Sequence, residues 1–131
     1  MRMECREFAV DGDKYRLEAV LVKAGTDAVL VVTGGTRPHI GATAVATPRP
    51  SLTGKGTSAS VSVLCQLGHR DDEFARGAAR VLAIAWGCTV TVTVGIHVDA
   101  ADYVDLELLQ YNFQQLIEQV RIADDENGKE G

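Results

Sequence analysis

Asp71-Asp72-Glu73-Phe74-Ala75-Arg76-Gly77-Ala78-Ala79-Arg80-Val81-Leu82-Ala83-Ile84-Ala85-Trp86-Gly87, followed at once by Cys88-Thr89-Val90-Thr91-Val92-Thr93-Val94-Gly95-Ile96, is the passage on which the fold turns. Its first half has the 3.6-residue period of a helix, with Phe74, Ala78, Val81, Leu82 and Ala85 on one stripe. Asp71 or Asp72 is placed to cap its start, and Gly87 to end it. Its second half changes to period two. Cys88, Val90, Val92, Val94 and Ile96 point inward, and Thr89, Thr91 and Thr93 lie on the second face. That strand delivers His97 to the threonine face, with Asp99 close behind.

Upstream, the chain reads as strands. Cys5–Val10 and residues 14–23 flank the turn signal Asp11-Gly12-Asp13, and residues 28–33 are a short apolar run suited to a central strand. Residues 39–47 alternate, but small side chains dominate both faces, which predicts a helix or a ligand lying close against them. Residues 48–56 read as a surface loop, and Thr57–Cys65 as a strand with Ser58, Ser60 and Ser62 in one row. Downstream, a second helix is expected over 102–122, with Leu106, Leu109, Phe113, Leu116, Ile117 and Val120 as its apolar stripe. Residues 123–131 read as a disordered acidic tail. The order β-β-β-β-β-α-β-α predicts a single α+β domain over 1–122, a mostly antiparallel sheet of about six strands with two main helices packed on it.

Composition narrows the function. The chain has 131 residues, 46% of them hydrophobic, and a net charge of −5. That acidic balance argues against nucleic acid as a partner. No stretch approaches 18 uninterrupted apolar residues, which argues against a membrane span. The charged first residues do not resemble a secretory signal, and Cys5, Cys65 and Cys88 form no Cys-x-x-Cys pair, so a cytoplasmic location is expected.

Against this acidic background, residues 28–70 contain no Asp or Glu, while Arg37, Arg49, Lys55 and Arg70 carry four positive charges. Within that block, Gly34-Gly35-Thr36-Arg37-Pro38-His39-Ile40-Gly41 combines glycines that admit close backbone approach with side chains that grip anions. Arg37, His39 and Arg49 are expected to converge on an anion, with the serine row offering hydroxyl donors. His39, His69 and His97 each fall near an element end, where a three-histidine metal site is conceivable. No ligand-like spacing supports it, and no metal is expected. There is no Gly-x-Ser-x-Gly elbow, and Gly34-Gly35 departs from both the dinucleotide fingerprint and the P-loop. The helix face with Gln110, Tyr111, Gln114 and Gln115 is weakly charged, so a homodimer through it or through a sheet edge is expected.

The segments Gly34–Ala42, Pro48-Arg49-Pro50-Ser51, Thr57-Ser58-Ala59-Ser60, Gly68-His69-Arg70 and Gly95-Ile96-His97-Val98-Asp99 resemble the prenylated-flavin chaperone-like proteins. That family is similar to the small D subunit accompanying gallate-type decarboxylases of the UbiD class. The resemblance spans roughly residues 15–119. It implies a fold like the proteasome-assembly chaperones, usually dimeric, and a non-catalytic accessory protein that binds prenylated FMN or FMN and helps mature a partner decarboxylase. Laid onto this chain, Arg37 and Arg49 would hold a phosphate, and His39, His69, His97, Ser58 and Ser60 the polar edge of the ring. Gly35, Gly41, Ser51 and Arg70 complete the expected cofactor-binding set. Two alternatives stand beside it. One is a protein-only assembly chaperone of the proteasome-assembly type, the other a metal-dependent hydrolase using His39, His69 and His97.

Overall fold

The computed structural model describes residues 3–66 and 71–130, with side chains through Ala123. Six strands form one sheet: β1 (Cys5–Val10), β2 (Leu17–Ala24), β3 (Asp27–Gly35), β4 (Ala42–Pro50), β5 (Thr57–Cys65) and β6 (Val90–His97). Two helices, α1 (Asp71–Trp86) and α2 (Tyr103–Glu130), complete the α+β architecture in the expected order. The spatial order is β1-β2-β3-β6-β4-β5. Every pairing is antiparallel except β3 with β6, which is parallel, so the sheet is mixed.

Connectivity explains the layers. The β5–α1–β6 link must pass over β4, which lies between those two strands, so α1 rests on β4 and β5. The chain leaving β6 then lays α2 across β1 and β2. Both helices therefore cover one face of the sheet. That face supplies the core, with Leu17, Leu30, Val32, Val92 and Val94 fully buried beneath Leu82, Leu116 and Val120. Such side chains contribute most of the driving force for folding, roughly 1.5–3 kcal/mol each when fully buried. The opposite face, which carries Val20, Val22, Val29, Val31 and the threonines of β3, β4 and β6, has no covering layer among the described residues.

The small side chains of β4 make room for a helix. Ala42, Ala44 and Ala46 are buried, and against them α1 turns Ala75, Ala78, Ala79, Leu82 and Ala83. Alanine facing alanine lets the helix backbone approach the sheet closely, and larger groups there would hold it off. The buried stripe of α1 is thus an alanine stripe. Val81, expected inside, is 45% exposed, and Ala85 is exposed too. In α2, Leu109, Phe113, Leu116, Ile117 and Val120 are buried as expected, while Leu106 is exposed.

Several boundaries moved. A 3₁₀ turn, Asp13–Tyr15, replaces the expected start of the second strand. Its Tyr15 hydroxyl donates to Asp105, and Asn112 Nδ2 donates to the Tyr15 carbonyl at 3.0 Å, so α2 pulls this turn out of the sheet. The fourth strand begins at Ala42 rather than residue 39, because the preceding residues cross over the end of β6. It runs on to Pro50, beyond Ala46, the last β4 residue paired with β6. Pro48 and Pro50 therefore sit where β4 has β5 on one side only, a position that tolerates a missing N–H. α2 continues through residues 123–130, the stretch whose composition reads as an acidic tail.

Candidate functional site

In the strand order, β6 separates β3 from β4, so the connection between those two strands must cross the C-terminal end of β6. Residues 36–41 make that crossing. Thr36 N donates to the His97 carbonyl at 2.6 Å, and Gly41 N to the Val94 carbonyl at 2.9 Å. Between them the backbone of His39 lies directly on Gly95. A Cβ at Gly95 would stand 1.4 Å from the His39 carbonyl oxygen, so only glycine admits the crossing. Gly35 enters it with φ +81°, and a Cβ there would be 2.1 Å from the His97 carbonyl oxygen. Of the glycines that read as ligand-approach positions, Gly34 and Gly35 also admit the close approach of one backbone to another.

The crossing brings distant side chains together. Asp99 Oδ1 accepts from His97 Nε2 at 3.0 Å and from Arg37 Nη2 at 3.1 Å, which sets those two nitrogens 3.2 Å apart. The hydrogen bond from His97, with the Arg37 charge beside it, holds the Asp99 carboxyl below its ordinary range. Thr36 Oγ1 accepts from the Asp99 amide at 3.0 Å and lies 3.2 Å from the His97 carbonyl, tying the ends of β3 and β6. The His39 Nδ1–H donates to the Arg37 carbonyl at 3.1 Å, and its ring stands edge-on to that of His97, with centroids 6.2 Å apart.

Beneath the crossing lies Asp71, the first residue of α1 and only 3% exposed. Its Oδ1 accepts from the Ile96 amide at 3.0 Å, and its Oδ2 is 3.4 Å from His39 Nε2. A Cβ at Gly41 would meet that same Oδ2 at 1.9 Å. Asp71, which the sequence offers only as a helix cap, is therefore a buried prop under the histidine.

Arg37, exposed, and His39 and His97, both half-buried, thus share one cluster, with Gly35 and Gly41 in its backbone frame. Arg49, Ser51, Ser58 and Ser60 are elsewhere. β4 runs antiparallel to β6, pairing Ala46 with Val90, so Arg49 continues past the N-terminal end of β6 while His97 ends its C-terminal side. At about 3.3 Å per residue the two are roughly 30 Å apart. There Arg49 Nε donates to Ser60 Oγ at 3.0 Å, and Arg80 Nη2 to Ser58 Oγ at 3.4 Å. The Ser51 hydroxyl accepts from Thr53 N at 3.3 Å within the β4–β5 turn. His69 and Arg70 lie outside the described residues. The cluster is also not free of carboxylates, since the fold carries Asp71 and Asp99 into it from outside the carboxylate-free block. Sequence reading missed Thr36, the structural part of Asp71, and Asp99 as the shared acceptor of Arg37 and His97. The only signal for the crossing was the run of glycines with Gly95 opposite.

What the cluster offers is a side-by-side donor and acceptor, Arg37 and Asp99, flanked by two imidazoles on a rigid frame. Among the described residues, no three His, Cys, Asp or Glu side chains are grouped to hold a metal ion, and His69, the third histidine of the hydrolase alternative, lies outside them. No helix of the described residues is long and apolar enough to cross a membrane.

Three comparisons bear on this chain. The model of the family described as prenylated flavin chaperone LpdD-like domain matches residues 11–123. Protein LpdD of Lactiplantibacillus plantarum is 31% identical over 94 residues, which are 70% of this chain and 65% of that protein, just under two thirds of its length. Among solved structures, the crystal structure of a novel chaperone complex for yeast 20S proteasome assembly superposes with a TM-score of 0.61. It does so at 14% identity, over 93% of this chain and 98% of that one, a likeness of fold.

Proposed function

We propose that this chain, which belongs to the prenylated flavin chaperone LpdD-like domain family, is a non-catalytic accessory protein that binds prenylated FMN, or FMN, at the end of β6 and assists maturation of a UbiD-class decarboxylase. The observation that carries the reading is the cluster of Arg37, His39, His97 and Asp99, mounted where the β3–β4 crossing locks onto β6. A flavin supplies redox and electron-sink chemistry to an enzyme that holds it. An accessory protein needs only to bind and orient it.

The donor set fits one part of such a cofactor better than another. A flavin's pyrimidine edge alternates carbonyl, N–H and carbonyl. Arg37 would donate to a carbonyl, Asp99 would accept from the N–H, and His39 and His97 would line the same edge. A phosphate fits less well, because Arg37 already shares Asp99. Arg49, roughly 30 Å away along the sheet, lies beyond the reach of one flavin mononucleotide anchored at Arg37. In this reading the ring edge is held by Arg37, His39, His97 and Asp99, and Arg49 takes no part.

Titration of the purified chain with FMN and with prenylated FMN, followed by ultraviolet-visible spectra, tests the reading. Saturable binding is expected, weakened about tenfold by Arg37→Ala or His39→Ala, as suits loss of a charge-assisted hydrogen bond. Arg49→Ala is expected to leave it unchanged. Binding to neither flavin, or a larger loss at Arg49→Ala than at Arg37→Ala, overturns it.

A homodimer belongs to the same proposal, and the support for it is the uncovered valine-rich face of the sheet. That face also favours a second reading, a protein-only assembly chaperone. Capture of a decarboxylase by the chain, insensitive to added flavin and unaffected by Arg37→Ala, would favour the second reading over the first.

A further inference from the structure

Between α1 and α2 runs a groove of about 660 Å³, none of whose lining residues belongs to the cluster at the end of β6. Its floor is apolar: the Phe74 and Phe113 rings meet with centroids 4.6 Å apart, beside Ala78 and Ile117. Its rim leaves Val81, Tyr103 and Leu106 in solvent. The charged groups lining it are Glu73, Glu107 and Glu118, and no Lys or Arg among the described residues lines it. Arg121 engages Glu118, which leaves Glu73 and Glu107 as the acidic margins.

Gly77 stands in the wall of this groove, in the middle of α1. Glycine there weakens a helix relative to alanine. A Cβ at Gly77 would meet nothing within 4 Å, so no contact among the described residues requires the glycine. A missing side chain that the fold does not need, in the wall of an apolar groove, leaves room for something from outside.

We infer that this groove receives an amphipathic helix of a partner protein, its apolar side chains spaced at i, i+3, i+4 and i+7 and its flanks carrying Lys or Arg. Helices dock in this way when a groove offers apolar holes, and the acidic margins select basic flanks. A second copy of this chain fits badly. The exposed apolar residues of α2, Val104, Leu108 and Tyr111, travel with Glu107, and would set acid against Glu73 and Glu107 in a chain of net charge −5. The inference rests on the chaperone reading only in taking a protein as the client, and flavin binding is a separate readout.

The test uses the full chain and two fluorescein-labelled synthetic amphipathic helical peptides, one of leucine and lysine, the other of leucine and glutamate. Anisotropy is expected to show saturable binding of the lysine peptide, about tenfold or more tighter than that of the glutamate peptide. Gly77→Leu fills the groove without changing charge and is expected to weaken the lysine peptide about tenfold. Val81→Ser, at an exposed position that does not threaten the fold, moves it in the same direction. Thermal melts confirm that both variants fold, and flavin titration of both stays as in the parent chain. Equal affinity for the two peptides overturns the inference. So does lysine-peptide binding that neither folded variant weakens, because that is adhesion to an acidic surface.

Discussion

The carbonyl oxygen of His39 lies 1.4 Å from the point where a Cβ on Gly95 would stand. The two residues are far apart in sequence, yet this one contact decides where Arg37 and His39 are held, because the crossing segment rests on the strand with no side chain between them. The neighbour is backbone anchored at both ends, by Thr36 to His97 and by Gly41 to Val94, so it has little freedom to give way.

Gly95→Ala is therefore expected to lift the crossing off β6. A misfit of that kind in a packed region costs about 1–3 kcal/mol. Urea denaturation should show the lower midpoint, and flavin affinity should fall with it. A midpoint equal to that of the parent chain would show that the crossing is loose.

The alanine contact between α1 and β4 makes a paired prediction. Ala79→Leu places a large side chain where Ala79 is fully buried, and is expected to destabilise by about 1–3 kcal/mol. Val81→Ala removes apolar volume from an exposed site, and is expected to change stability by no more than about 0.5 kcal/mol. If the two effects came out reversed, the helix would be rotated from the orientation described.

Asp105 gives a pH signature. The Tyr15 hydroxyl, then a backbone amide at Asp102, and then Lys14 lower its pKa from 3.8 to about 2. A carboxyl whose folded pKa is depressed adds stability that is complete above its unfolded pKa and is lost as pH falls through the folded one. The parent chain should thus lose this contribution between about pH 4 and pH 2. Asp105→Asn should flatten that part of the melting-temperature profile, and Tyr15→Phe should shift it upward in pH. Identical profiles for Asp105→Asn and the parent chain would exclude the pairing as a source of acid sensitivity.

Gly77→Ala is expected to stabilise the isolated chain by up to about 1 kcal/mol, since alanine is the better helix former and nothing stands where its Cβ would go. Thermal melting checks it. A loss of stability would mean that the glycine serves the fold itself.

Much of the architecture is written in short-range patterns. Cys5–Val10 and Thr57–Cys65 alternate cleanly between turn residues, and the strands found there have those limits. The threonine–valine alternation of β6 and the stripe of α2 were legible for the same reason, because period and burial coincide. Where hydrophobic rank competes with fit, the pattern misleads. Val81 outranks Ala79 in apolar character, yet the alanine surface of β4 selects Ala79, and that choice depends on the opposing element.

By itself, the sequence determined the element order, the α+β class and the resemblance to a flavin-chaperone family, since period, turn chemistry and local motifs are properties of neighbouring residues. Only the tertiary structure decided which polar groups share a site. Parallel pairing of β3 with β6 forces the crossing that joins Arg37 and His39 to His97, and draws in Asp71 and Asp99. Antiparallel pairing of β4 with β6 sends Arg49 and the serines to the far end of the sheet. Strand direction is set by contacts between residues remote in sequence, and no local pattern encodes it.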